Sequence, residues 1–199
     1  MMKHSILALA AYVLLILIAT HPLWQHLADS VPGDIGDPLL NTYIIAWDTH
    51  ALVNEPLYLF NANIFYPLPN TLAYSENLIG DALLALPIAL ISTQPVVAYN
   101  FTFGLSFGLA SFGMYLFVLR LTRQRATAFV AGVAFGFAPY RVASLAHIQL
   151  LTVEWLPFIA YGLWRIADRS STCPAGCNAG AVRRGCRLVS LTEARRLIC

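Results

Sequence analysis

From Val97 to Leu119 the chain runs without a formally charged side chain, about the length needed to cross roughly 30 Å of hydrocarbon as a helix. A second uncharged run extends from Ser5 to Thr20. Backbone amides in hydrocarbon find no water, so such segments are viable only as helices or as closed barrels. These runs are continuously apolar rather than alternating, which excludes barrel strands and leaves the helix. The composition agrees: 58% of the residues are hydrophobic and 11% charged, with a mean hydropathy of +0.65. A soluble domain carries about 25% charged residues. The expected fold class is therefore all-α: a polytopic helical membrane protein with about four transmembrane helices and a long external first loop.

The net charge of +2 averages segments of opposite character. Between Lys3 and Arg120 there is no Lys or Arg, yet the interval holds Asp29, Asp34, Asp37, Asp48, Glu55, Glu76 and Asp81. Arg120, Arg123 and Arg125 cluster together, Arg141 stands alone, and the other arginines follow Trp164. Positive residues mark the cytoplasmic side, so the acidic interval is expected outside and the N-terminus inside. No basic patch is interleaved with aromatics in a way that would track a phosphate backbone, which excludes nucleic acid as a partner.

Residues 1–168 read as the membrane domain. Met1 to Thr20 has the charged end and apolar core of a signal peptide, but no small-x-small cleavage site follows Ala19, so an uncleaved anchor is expected. Residues 21–77 form the external loop, too long for a plain connector. Within it, Asp37 before Pro38 suits a helix start with Asp as the N-cap. Leu40, Tyr43, Ile44, Trp47 and Ala51 follow at helical spacing and predict an amphipathic helix lying at the membrane surface. Residues 78–93 are short, with Asp81 near the start and Pro87 inside, and read as a re-entrant or interfacial segment. The Val97 helix then runs inward, Ala126–Tyr140 outward and Leu150–Trp164 inward. The pairs Gly104/Gly108 and Gly132/Gly136 are sites of close helix approach. The Asn100-Phe101-Thr102 sequon lies near or within the membrane and is discounted as a glycosylation site.

This topology gathers Asp34, Asp37, Asp48, His50, Glu55 and Glu76 from the loop, with Arg141, His147 and Gln149 from the turn between the last two helices. Asp37, Asn41 and Asp48 share one helical stripe, interrupted by Ile44. Plainer readings compete. Asp37 also suits a cap, Asp48 a solvated position, Arg141 a snorkelling contact with headgroups, and Tyr58, Phe60, Phe65, Tyr66 and Tyr74 an aromatic belt rather than sugar-stacking rings. No spacing among the acids and histidines specifies a metal site, and no Gly-rich phosphate loop calls for a cofactor.

Gly36-Asp37-Pro38, Trp47, Pro56, Phe60, Phe65-Tyr66-Pro67 and Pro87 resemble the first external loop of bacterial GT-C type membrane glycosyltransferases and their uncharacterised relatives. Ala138-Pro139-Tyr140-Arg141, His147-Ile148-Gln149 and Glu154-Trp155-Leu156-Pro157 fit the same group. The resemblance implies transfer of a sugar from a polyprenyl-phosphate donor to an acceptor at the external face of a bacterial inner membrane. It also implies Asp37 as the catalytic base, with Asp48, Arg141, His147 and Gln149 binding substrate. Two alternatives stand beside it: a non-enzymatic membrane component that binds or transports a lipid carrier, and an inactive fragment.

Composition changes beyond Asp168. Cys173, Cys177, Cys186 and Cys199 all fall in residues 169–199, together with six arginines. Their spacing matches no zinc motif, and their expected cytoplasmic side is reducing. The segment reads as a disordered tail or as the product of a shifted frame, with the native frame expected to end near Asp168.

Overall fold

The computed structural model describes residues 2–170, and the expected frame change with its cysteines lies outside them. Of the described residues, 2–162 form one compact unit and 163–170 belong to a second. Among the described residues the chain is helical, without a strand. The helices are α1 (Met2–Ala19), α2 (Asp37–Asn54), α3 (Ile79–Ala89), α4 (Pro95–Thr122), α5 (Arg125–Gly136), α6 (Pro139–Ala143), α7 (Ile148–Leu151) and α8 (Trp155–Ser170). Two stretches, Pro95–Thr122 and Arg125–Ala143, are long and apolar enough to cross a membrane; α1 and α3 are apolar but shorter.

Helix α4 is the hub, packing against α1, α2, α3 and α5. Pro95 opens it, where a missing N–H costs nothing and a fixed φ is already helical. It closes at Arg123, which takes the left-handed conformation at φ 59° and returns its N–H to the Leu119 carbonyl at 2.9 Å. The buried face of α4 carries small side chains at Gly104, Ser106, Gly108, Ala110, Ser111 and Gly113. A Cβ at Gly136 would collide with Ser111, and one at Gly132 with Tyr12 and the Ser111 backbone, so these glycines permit the close approach of α5 to α4. Tyr12 completes the contact, stacking on Phe129 at 5.1 Å and donating its hydroxyl to the Phe129 carbonyl at 3.1 Å.

The helix expected over Leu150–Trp164 is not continuous. It breaks at Thr152, Val153 and Glu154, between α7 and α8. Thr152 turns its hydroxyl to the Ile148 carbonyl and to Asp81, each at 2.9 Å, and Pro157 sits in the first turn of α8, a favoured place for a proline. The helix expected over Ala126–Tyr140 likewise ends at Gly136 before Pro139 starts α6. Helix α3 has 11 residues and rises about 16 Å, too short to cross the hydrocarbon by itself.

Helix α2 turns most of its expected apolar stripe inward, with Ile44 and Ala51 buried and Tyr43 and Trp47 packed against the core, but it buries its polar positions as well. Leu39 and Leu40 are exposed, while Asn41, Thr42, Ile44, Ile45, Asp48, Thr49 and Ala51 are buried. The polar stripe therefore faces the protein rather than the surroundings. It finds partners there: Asn41 donates to Gln149 at 2.8 Å, and α3 and α4 cover the rest. A buried polar group with a partner avoids the cost of desolvation, so α2 can bury polar and apolar positions together.

Candidate functional site

The loop between α1 and α2 is fastened before it delivers Asp37. The Asn100 amide, fully buried on α4, donates to the Leu27 carbonyl at 2.9 Å and the Ser30 carbonyl at 2.7 Å. This residue of the discounted sequon is thus an internal clamp. Gly33 has φ +81°, and a Cβ there would lie 2.7 Å from the Ala146 side chain. Only glycine combines that backbone with that proximity. The seam between Gly33 and Ala146 brings Asp37, four residues on, to His147.

Asp37 Oδ2 lies 3.0 Å from His147 Nε2, and both side chains are about half exposed. Asp37 is the first residue of α2 rather than its cap. The cap position is Gly36, and no side chain caps the helix. The N–H of Gly36 is bonded instead to Asp34 Oδ1 at 3.0 Å. The carboxylate of Asp37 thus faces an imidazole across the seam. One turn beyond Asp37 and two residues beyond His147, Asn41 and Gln149 form the second rung. Two residue pairs separated by more than a hundred positions meet in register.

Beneath this half-open pair lies a row of buried polar groups. Tyr99, fully buried on α4, lies within electrostatic range of both Asp37 and Asp81. Asp81 is 1% exposed and accepts from Thr152 through one oxygen, leaving the other without a partner. Glu154 is fully buried and in range of Asp81 and Arg141; beyond its own backbone amide, neither carboxylate oxygen has a partner. Burial, reinforced by Asp81 and opposed by Arg141, pushes its carboxyl up to about 7. These residues went unassigned at the level of sequence. The available signal was an acid within an apolar segment, which is expensive unless it has a role.

Arg141 departs from its expected place at the external surface. It is fully buried. Nη1 donates to the Gly136 carbonyl at 2.8 Å, and Nη2 to the Leu151 carbonyl at 2.9 Å and to Ser106 Oγ at 3.3 Å. Its guanidinium carbon sits 4.2 Å from the centroid of Phe107. Gly136 and Leu151 end α5 and α7, where carbonyls lack intrahelical donors and the helix dipole favours a cation. Arg141 therefore ties two helix C-termini together from inside, so its planar fork is engaged by the protein and not presented to a phosphate.

Asp48 is 4% exposed rather than solvated, and burial raises its carboxyl to about 6. It lies on the same stripe as Asp37 and Asn41 but is three turns from the dyad. Tyr66 and Tyr74 on the loop are more than nine-tenths exposed. Gly33 and Leu145 also line a cavity of about 310 Å³ that takes in His21, His26, Ser30 and Phe103. Among the described residues no group of three or more His, Cys, Asp or Glu is arranged to hold a metal ion. No family model matches the chain, and no curated protein or solved structure matches it either.

Proposed function

We propose that the chain belongs to a membrane glycosyltransferase of the GT-C type, moving a sugar from a polyprenyl-phosphate donor to a hydroxyl acceptor at the external face. Asp37 is the base. The observation that carries the reading is the 3.0 Å contact between Asp37 and His147. A half-exposed carboxylate that is held by an imidazole, rather than spent on a helix cap, is oriented to take a proton. In the transfer the acceptor oxygen attacks the anomeric carbon as its proton passes to Asp37. The bond from that carbon to the phosphate oxygen breaks, and polyprenyl phosphate leaves with the electron pair. With Arg141 engaged internally and His147 Nε2 held against Asp37, the imidazoles of His21 and His26, in the cavity that Gly33 and Leu145 also line, are the groups proposed to donate hydrogen bonds to the departing phosphate.

The bilayer setting, about four spans made by α1, α4, α5 and the stretch expected at Leu150–Trp164, is part of the same proposal. Support comes from α1, which buries only the stripe Ala8, Tyr12 and Ile16 and leaves Ile6, Leu7, Leu14 and Ile18 more than half exposed. Water would make that face a liability and hydrocarbon makes it ordinary. A second reading, binding or transport of the lipid carrier without turnover, draws on Asp81 and Glu154, since buried acids in apolar segments also mark relays in transporters.

The test is the purified chain with a labelled polyprenyl-phosphate sugar. Asp37→Asn should lower transfer by about 10²–10⁴-fold, the range of a lost general base. A half-exposed ion pair contributes only about 0–1 kcal/mol, so the melting temperature should hardly move. His147→Gln, which removes the contact that holds Asp37, should fall between the two. Full transfer by Asp37→Asn refutes the assignment, and saturable binding without turnover by the wild type favours the carrier.

A further inference from the structure

At the end of the helices carrying the arginine cluster, a cavity of about 560 Å³ is lined by Ser5, Tyr115, Leu116, Leu119, Tyr161 and the arginines Arg120, Arg123 and Arg125. Among the described residues lining it there is no Asp or Glu. A second, more apolar cavity of about 380 Å³ shares Tyr115 and Arg125 with it and runs along α1 and α5 past Leu7, Ala8, Ala11 and Phe129. Arg123 is fixed in the left-handed turn after α4, and Arg125 is the first residue of α5. Only Gln124 separates them, so the turn holds two cationic side chains at the larger cavity, and Arg125 lines both cavities.

We infer that these two cavities together bind one anionic glycerophospholipid, its phosphate at Arg123 and Arg125 and its acyl chains along the apolar walls that meet at Tyr115. Charge and shape carry the assignment together. Arginine recognises phosphate through a planar donor fork, and basic pockets between membrane helices suit anionic headgroups. Walls of Leu, Phe and Tyr suit acyl chains and leave a free phosphate nothing to bury. The rest of the chain is a poor occupant, because residues 169–199 carry six arginines against one acid, Glu193. The site is remote from Asp37 in the sequence and stands whether or not the transferase reading does.

The experiment uses the full chain in nanodiscs of phosphatidylcholine, with or without phosphatidylglycerol, released into native mass spectrometry. One phosphatidylglycerol should stay with each wild-type chain. Arg123→Gln with Arg125→Gln should weaken its retention about 30-fold, at roughly a factor of five per arginine. Leu119→Trp leaves every charge in place and puts an indole into the acyl-chain wall of the cavity, so it should weaken retention of the bound lipid while the surface attraction persists. Inorganic phosphate should not compete. Circular dichroism of each variant in phosphatidylcholine checks that it is folded, and Leu116→Phe serves as the second filling variant should Leu119→Trp not fold. The inference is overturned if the wild type retains no phosphatidylglycerol, if a filled cavity retains as much as an open one, or if inorganic phosphate displaces the lipid.

Discussion

Replacing Arg141 by lysine keeps the charge and removes the fork, which separates a structural arginine from a ligand-binding one. The guanidinium reaches the Gly136 carbonyl with one nitrogen and the Leu151 carbonyl with another, at 2.8 and 2.9 Å, while lying over Phe107. A single ammonium cannot serve both helix ends in that geometry, so one buried carbonyl loses its donor. Leaving a buried acceptor unmade costs about 1–3 kcal/mol, and loss of a desolvated stacking contact adds about 1–2 kcal/mol. The sum is about 3 kcal/mol, or about 10 °C in melting temperature on the size scaling of globular domains. The assay is thermal unfolding in detergent followed by near-ultraviolet circular dichroism, paired with donor binding well below the transition. Arg141→Lys should melt early and, where folded, bind donor with wild-type affinity. A variant that melts with the wild type but binds donor more weakly would refute the internal tie and restore Arg141 to the substrate.

Three further outcomes follow from the geometry. Glu154, with its carboxyl raised from 4.5 to about 7, holds its proton more tightly folded than unfolded, so its contribution is full below about pH 4.5 and lost as pH rises through about 7. Glu154→Gln should remove that dependence and stabilise the protein at pH 8 by up to about 3 kcal/mol, read from melting temperatures across pH. Cysteines at Ser30 or Asn70 should label with an impermeant thiol reagent outside intact cells and one at Thr122 should not; the reverse pattern puts Asp37 on the wrong side for the proposed donor. Gly136→Leu should force α5 off Ser111 and lower the melting temperature by several degrees, whereas Gly162→Leu, where a Cβ meets nothing within 4 Å, should not.

The sequence alone determined what depends on local composition. Uncharged runs of the right length demand helices, prolines and glycines mark their ends, and the glycine pair in α5 marks a close contact, because each follows from backbone hydrogen bonding and side-chain size within a few residues. Asp37, His147 and Gln149 were also legible as candidates, since polar residues next to apolar helices have few places to go. Their pairing was not. The contacts of Asp37 with His147 and of Asn41 with Gln149 span more than a hundred positions and depend on Gly33 seating against Ala146 and on Asn100 holding the loop. Tertiary structure also changed two readings. Helix α2 buries polar positions beside its apolar stripe because Gln149 is there to receive Asn41, and Arg141 leaves the surface because the ends of α5 and α7 converge on it with carbonyls that lack donors. A charged side chain in a sequence shows that a partner is required; which partner it finds is decided by which helix ends and carbonyls the fold brings within 3 Å of it.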